Sequence, residues 1–245
     1  MCRGFLTFKT EINHMKKLIT ATLILFSLSA ISLAQEEEEA HSDVEFSYVD
    51  GAIEIEEGAE GFVFEGEFGE GVFANFSGEP GIASEVEEGA GINPGDIVGF
   101  NVLDTLFYWD GSQVASPGDT TVTIAAFGGS PDAVVSSSSA VQLADFTNPA
   151  NLLGQAADDG DFHVDPGFTI SDGAPAGGYG LVLSLSSDAD GIAESEPFGI
   201  FLNFGLAEEM FEAGVESFGA SVPEPSSLLL VVVGIAGLCV LRRTR

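Results

Sequence analysis

Val44-Glu45-Phe46-Ser47-Tyr48-Val49-Asp50-Gly51-Ala52-Ile53-Glu54-Ile55-Glu56 is the stretch that decides the fold class. Val44, Phe46 and Tyr48 fall on one face of an extended chain, with Glu45 and Ser47 on the other, because strand side chains alternate. Ile53 and Ile55 then alternate with Glu54 and Glu56. Asp50-Gly51 sits between the two runs, and both residues accept the positive φ that a tight hairpin turn requires. The reading is a β-hairpin with one dry face and one acidic face.

The same grammar continues outward. Phe62, Phe64 and Phe68 share a parity, with Glu65 and Glu67 opposite. Further strands are expected at Ile97–Val102, Leu106–Trp109, Thr121–Phe127, Phe168–Ile170, Leu181–Leu185 and Phe198–Phe204. Trp109-Asp110-Gly111 marks a second tight turn. The Ser136–Ser139 run reads as a loop. Leu206–Phe218 reads as a short helix with Met210, Phe211, Val215 and Phe218 on one side. Twenty Phe and one Trp are first of all core residues. No internal repeat emerges. Many short strands and one terminal helix predict an all-β, β-sandwich-like domain over residues 41–219.

Charge divides the chain. The seven basic residues are Arg3, Lys9, Lys16, Lys17, Arg242, Arg243 and Arg245. All 39 acidic residues except Glu11 and Glu224 lie between Gln35 and Val222. The middle of the chain therefore holds no Lys or Arg, and such a surface repels nucleic acid and anionic lipid. It suits a salty medium, which screens self-repulsion, and it attracts divalent cations. Cys2 and Cys239 are the two cysteines; the middle has no thiol, so neither a disulfide nor a cysteine nucleophile is available there.

The two ends explain that partition. Lys16-Lys17, the apolar run Leu18–Leu28 and Ser32-Leu33-Ala34 form a secretory signal peptide over 15–34, cut between Ala34 and Gln35. Residues 1–14 do not fit a signal peptide, and Met15 is the expected start. Residues 35–40 are an acidic linker. At the other end, 220–227 form a linker containing Pro223-Glu224-Pro225. The 14 residues Leu228–Leu241 follow without a charge, and Arg242–Arg245 is a basic tail. As a helix the apolar run spans roughly 21 Å at 1.5 Å per residue, a crossing that bilayer thinning accommodates. The arginines place the tail in the cytoplasm and everything before Pro223 outside it. Pro-Glu-Pro, a short apolar helix and a basic end resemble the PEP-CTERM sorting tail of exported bacterial proteins. The signal peptide implies the Sec translocon and signal peptidase as partners, and the resemblance adds exosortase. The resemblance also implies an inner-membrane intermediate, processing at Pro223, Glu224 and Pro225, and delivery to the cell surface or an extracellular polysaccharide matrix.

The exported part shows no nucleophile elbow, P-loop, H-E-x-x-H or cysteine cluster, so a non-catalytic structural or interaction domain is expected. The alternative is a divalent-metal-binding surface protein. On an extended strand Asp159, Asp161, His163 and Asp165 would face one side, and oxygen ligands with an imidazole suit calcium or zinc. His41-x-Asp43, Tyr48-x-Asp50-Gly51, His163-x-Asp165, Gly167-Phe168 and Gly178-Tyr179-Gly180-Leu181 resemble a surface-anchored bacterial domain family associated with metal-responsive export. That family has a second His where Asp165 stands. The resemblance implies His41, His163 and Asp165 as ligands. Asp188-Ala189-Asp190-Gly191 is a calcium-loop fragment without the terminal Glu, with Glu194 and Glu196 nearby.

Overall fold

A computed structural model describes residues 43–69 and 72–223. The expected signal peptide, acidic linker and His41 lie outside the described residues, as do Glu224, Pro225, the apolar segment and the basic tail. No helix among the described residues is long and apolar enough to cross a membrane.

Among the described residues the regular structure is mostly β-strand, arranged in three sheets, with one short α-helix. In chain order the first strands are β1 Val44–Val49, β2 Ala52–Ile55, β3 Val63–Glu67, β4 Phe76–Ser77, β5 Ile82–Ser84, β6 Ile97–Val102 and β7 Phe107–Trp109. They continue as β8 Thr121–Ile124, β9 Ala133–Ser136, β10 Leu152–Gln155, β11 Phe162–Val164, β12 Phe168–Ile170, β13 Gly177–Ser187 and β14 Phe198–Phe204. Helix α1 is Glu208–Gly219. The sheets run β11-β5-β1-β2, β10-β6-β13-β14-β3 with β7 also on β13, and β4-β12-β8-β9.

The quoted hairpin forms as expected. β1 and β2 pair antiparallel with Phe46 opposite Ile55 and Tyr48 opposite Ile53. Asp50 and Gly51 both take positive φ, 50° and 84°. Val44, Phe46, Ile53 and Ile55 enter the main core, while Glu45 and Glu54 stay exposed. β13 is different, being buried almost throughout its 11 residues. Tyr179, Leu181, Leu183 and Leu185 face the main core together with Phe198, Ile200 and Leu202 of β14. Residues of all three sheets feed that core.

A second core lies between α1 and the sheet: Val63, Val182, Phe201, Phe211, Val215, Phe218 and Val222. Phe201 stacks on Phe211 and Phe218 with centroids 5.2 and 5.3 Å apart. The close approach depends on glycine. A Cβ at Gly180 would stand 2.5 Å from Phe218, and one at Gly199 would stand 2.6 Å from the same ring. Each fully buried Phe or Val contributes about 1.5–3 kcal/mol, so this layer fixes α1 despite an N-cap, Ala207, that makes no side-chain bond. Met210, expected on the buried side of the helix, is 42% exposed. The glycine at position 214 takes that place in the contact instead.

β13 extends beyond the expected Leu181–Leu185 at both ends, Gly177–Gly180 pairing with β14 and Ser186 and Ser187 with β6. Asn101 of β6 donates to Ser184 Oγ at 3.0 Å and Ser186 Oγ at 2.8 Å, and accepts from Ala144 N at 2.8 Å. A buried polar row is tolerated when its members satisfy one another.

Candidate functional site

Parallel pairing of β1 with β5 sets Val44 opposite Ile82, and antiparallel pairing of β11 with β5 sets His163 opposite Ala83. Three short strands thus bring residues far apart in sequence to one sheet end. Asp43 precedes β1, Glu85 follows β5, His163 is the middle of β11 and Asp165 lies just beyond it.

His163 is the one residue between 43 and 223 with a basic side chain, and carboxylates surround it. Nδ1 lies 2.6 Å from Glu85 Oε1. Nε2 lies 3.4 Å from Asp165 Oδ1 and 3.5 Å from Asp43 Oδ2. The Glu85 hydrogen bond raises the imidazole pKa above its usual value; partial burial opposes this, and the charges of Asp43, Asp165 and Glu85 add to it. Gly81 makes the approach possible. Its N–H donates to Asp43 Oδ1 at 3.1 Å, and a Cβ there would stand 2.8 Å from Asp43 and 3.0 Å from Asp165. Protonated His163 joins the ends of β1, β5 and β11 electrostatically. With its side chain 41% exposed, that link is a modest one.

The remaining sequence candidates go elsewhere. Asp159 and Asp161 do not share an extended strand with His163, because β11 begins at Phe162 and Gly160 turns the chain with φ 91°. Asp161 Oδ1 accepts from Val86 N at 3.1 Å, and Asp159 Oδ1 accepts from Asp161 N at 3.2 Å. His163 and Asp165 are brought together; Asp43 and Glu85 take the places next to them. Sequence reasoning missed Glu85 altogether, since nothing in Ile82-Ala83-Ser84-Glu85 signals its distant partner. Asp188 anchors a turn, its Oδ1 accepting from Ile97 N at 2.7 Å. Among the described residues no group of three or more His, Cys, Asp or Glu side chains is arranged to hold a metal ion.

A cavity of about 320 Å³ lies beside β2, lined by Val49, Ile53, Ile55 and Phe62 together with Glu54 and Glu196. It carries acid and no base.

The turn after α1 is hydrogen-bonded to the end of the helix. Ser221 N and Oγ both bond Phe218 O, at 2.7 and 2.6 Å. Val222 N bonds Gly219 O at 3.2 Å. Val222 is 8% exposed and Pro223, next in the chain, is exposed.

Residues 221–243 match the PEP-CTERM protein-sorting motif. No curated protein and no solved structure matches the chain. The motif marks an exported protein sorted by an exosortase, and proteins that carry it are membrane-anchored before processing.

Proposed function

We propose that this chain is a non-catalytic surface or matrix protein. A signal peptide over 15–34 directs it through the Sec translocon, and signal peptidase cuts between Ala34 and Gln35. The apolar segment 228–241 holds it in the inner membrane with the basic tail inside. Exosortase then acts at Pro223-Glu224-Pro225, delivering a β-sandwich-like domain to the cell surface or to extracellular polysaccharide. The observation that carries this reading is the sorting motif at 221–243. The acidic, lysine-free domain supports a role in an ion-rich exterior and argues against nucleic-acid partners. The absence of catalysis is supported by His163, both of whose nitrogens face carboxylates rather than a hydroxyl nucleophile. The test is the mass of the mature protein from membranes and from culture medium. A species from Gln35 to about Pro223 outside the cells is the expected result. A species retaining Arg245 and confined to membranes would overturn it.

One observation favours a second reading, divalent-metal binding. Nε2 of His163 faces Asp43 and Asp165 while Glu85 holds Nδ1, the outer contact by which metal-bound imidazoles are oriented. To close on zinc or calcium, the two aspartates would have to turn inward and His163 would have to lose its proton. The resemblance to a surface-anchored family adds His41 to this set. Calorimetric titration of the exported domain with Zn²⁺ and Ca²⁺ decides it; no binding tighter than millimolar removes the reading.

A further inference from the structure

We propose that the folded domain restricts access to its own sorting motif: the turn after α1 docks Val222 on β14, and this turn must release before exosortase can act. The inference rests on the sorting reading and adds a control to it.

The matched motif begins at Ser221, yet Ser221 is hydrogen-bonded to Phe218 and Val222 is buried in the second core. Val222 packs with Phe218 in the second core, and its Cγ2 would stand 3.0 Å from a Cβ at Gly199 of β14. The backbone from Ala220 to Val222 turns off the end of α1 and bonds back to it, and is not an extended strand. Enzymes that recognise a peptide as an extended segment use its backbone groups and alternate side chains. Upstream of Pro223 the backbone is not extended while the turn is closed, and Val222 is buried. The approach from the other side is short. Only the five residues Pro223–Ser227 separate Val222 from the apolar run, and even fully extended they cover at most about 18 Å. With residues 228–241 in the bilayer, a membrane-embedded enzyme has at most that length of chain between the membrane and Val222.

Opening is local. It breaks the Ser221 and Val222 backbone bonds and wets one apolar side chain, leaving the sheets intact. Returning one Val side chain to water shifts such an equilibrium about tenfold or more. Removal of the tail breaks one peptide bond, with water or an amine-bearing acceptor taking the freed acyl group. The turn takes no part in that exchange and acts on access alone.

The test follows tail loss from the full-length protein by pulse-chase in its exosortase-bearing host. It compares wild type, Val222→Ser, and a variant with Gly-Ser-Gly-Ser inserted between Val222 and Pro223. The expected result is loss about tenfold faster in both variants, with the melting of the insertion variant unchanged, so that unfolding does not explain the gain. Equal or slower processing in the insertion variant overturns the docking control while leaving sorting intact. Wild-type tail that persists in this host, or is lost equally in an exosortase-deficient strain, overturns the sorting reading and this inference with it.

Discussion

The β1–β2 hairpin and the β13–β14 pair are both antiparallel ribbons, and they keep their side chains dry in opposite ways. The hairpin buries one face and hands the other to water, so every second residue is free to be acidic. The β13–β14 pair is buried on both faces, against the main core and against α1. Its second face is made of glycines fitted under phenylalanine rings, and of serines that share one asparagine. In the first ribbon alternation carries the fold; in the second, volume does. The comparison predicts where substitution hurts.

The largest effect is expected from Phe218→Ala, which empties the ring site above Gly180 and Gly199. A loss of about 3–5 kcal/mol in chemical denaturation is expected; a loss below about 1 kcal/mol would mean that α1 is not held by that ring. Next comes Gly180→Ala, whose methyl would enter the ring, at a cost of about 1–3 kcal/mol. The double variant sharpens the comparison. With the ring gone the methyl has space, so the two costs should fall short of additivity by more than about 0.5 kcal/mol.

Smaller is the effect at His163. Its pKa is raised in the folded state, so its stabilising contribution is fully present below about pH 6.5, the ordinary histidine value. It is lost as pH rises through the higher folded value. His163→Gln should therefore cost less than about 1 kcal/mol, given the side chain's exposure, and only on the acid side. Difference melting curves from pH 5 to pH 9 check this, because subtracting the variant cancels the titration of the many carboxylates. A gap that widens with pH would reverse the sign. Least of all, Glu54→Gln on the wet face of the hairpin should stay within about 0.5 kcal/mol.

What could be read from sequence follows the same divide. β6, β12 and β14 have the bounds expected for them, Ile97–Val102, Phe168–Ile170 and Phe198–Phe204, because turn residues flank compact apolar runs. β13 exceeds the expected Leu181–Leu185 at both ends, because Gly177–Gly180 carries little apolar signal and Ser186 looks like a surface residue until Asn101 is placed beside it. β5 and β10 are not among the expected strands, because Ile82-Ala83-Ser84 and Leu152–Gln155 are fully or mostly buried and show no alternation. At the candidate site His163 and Asp165 were legible as near neighbours in the chain. Asp43 and Glu85 join them only through a parallel pairing of β1 with β5, and no local pattern announces a parallel pairing. The PEP-CTERM motif was legible in full because its chemistry is written contiguously.

The exit of the chain from the fold has a mechanical consequence. Any pull transmitted through the C-terminal tail reaches the domain at Pro223, beyond Val222 and α1. The load falls first on side-chain contacts between helix and sheet, not on the parallel β3–β14 ladder, whose five aligned residue pairs lie behind them. Helix α1 is therefore the first element of the described fold to bear a force that arrives through the tail.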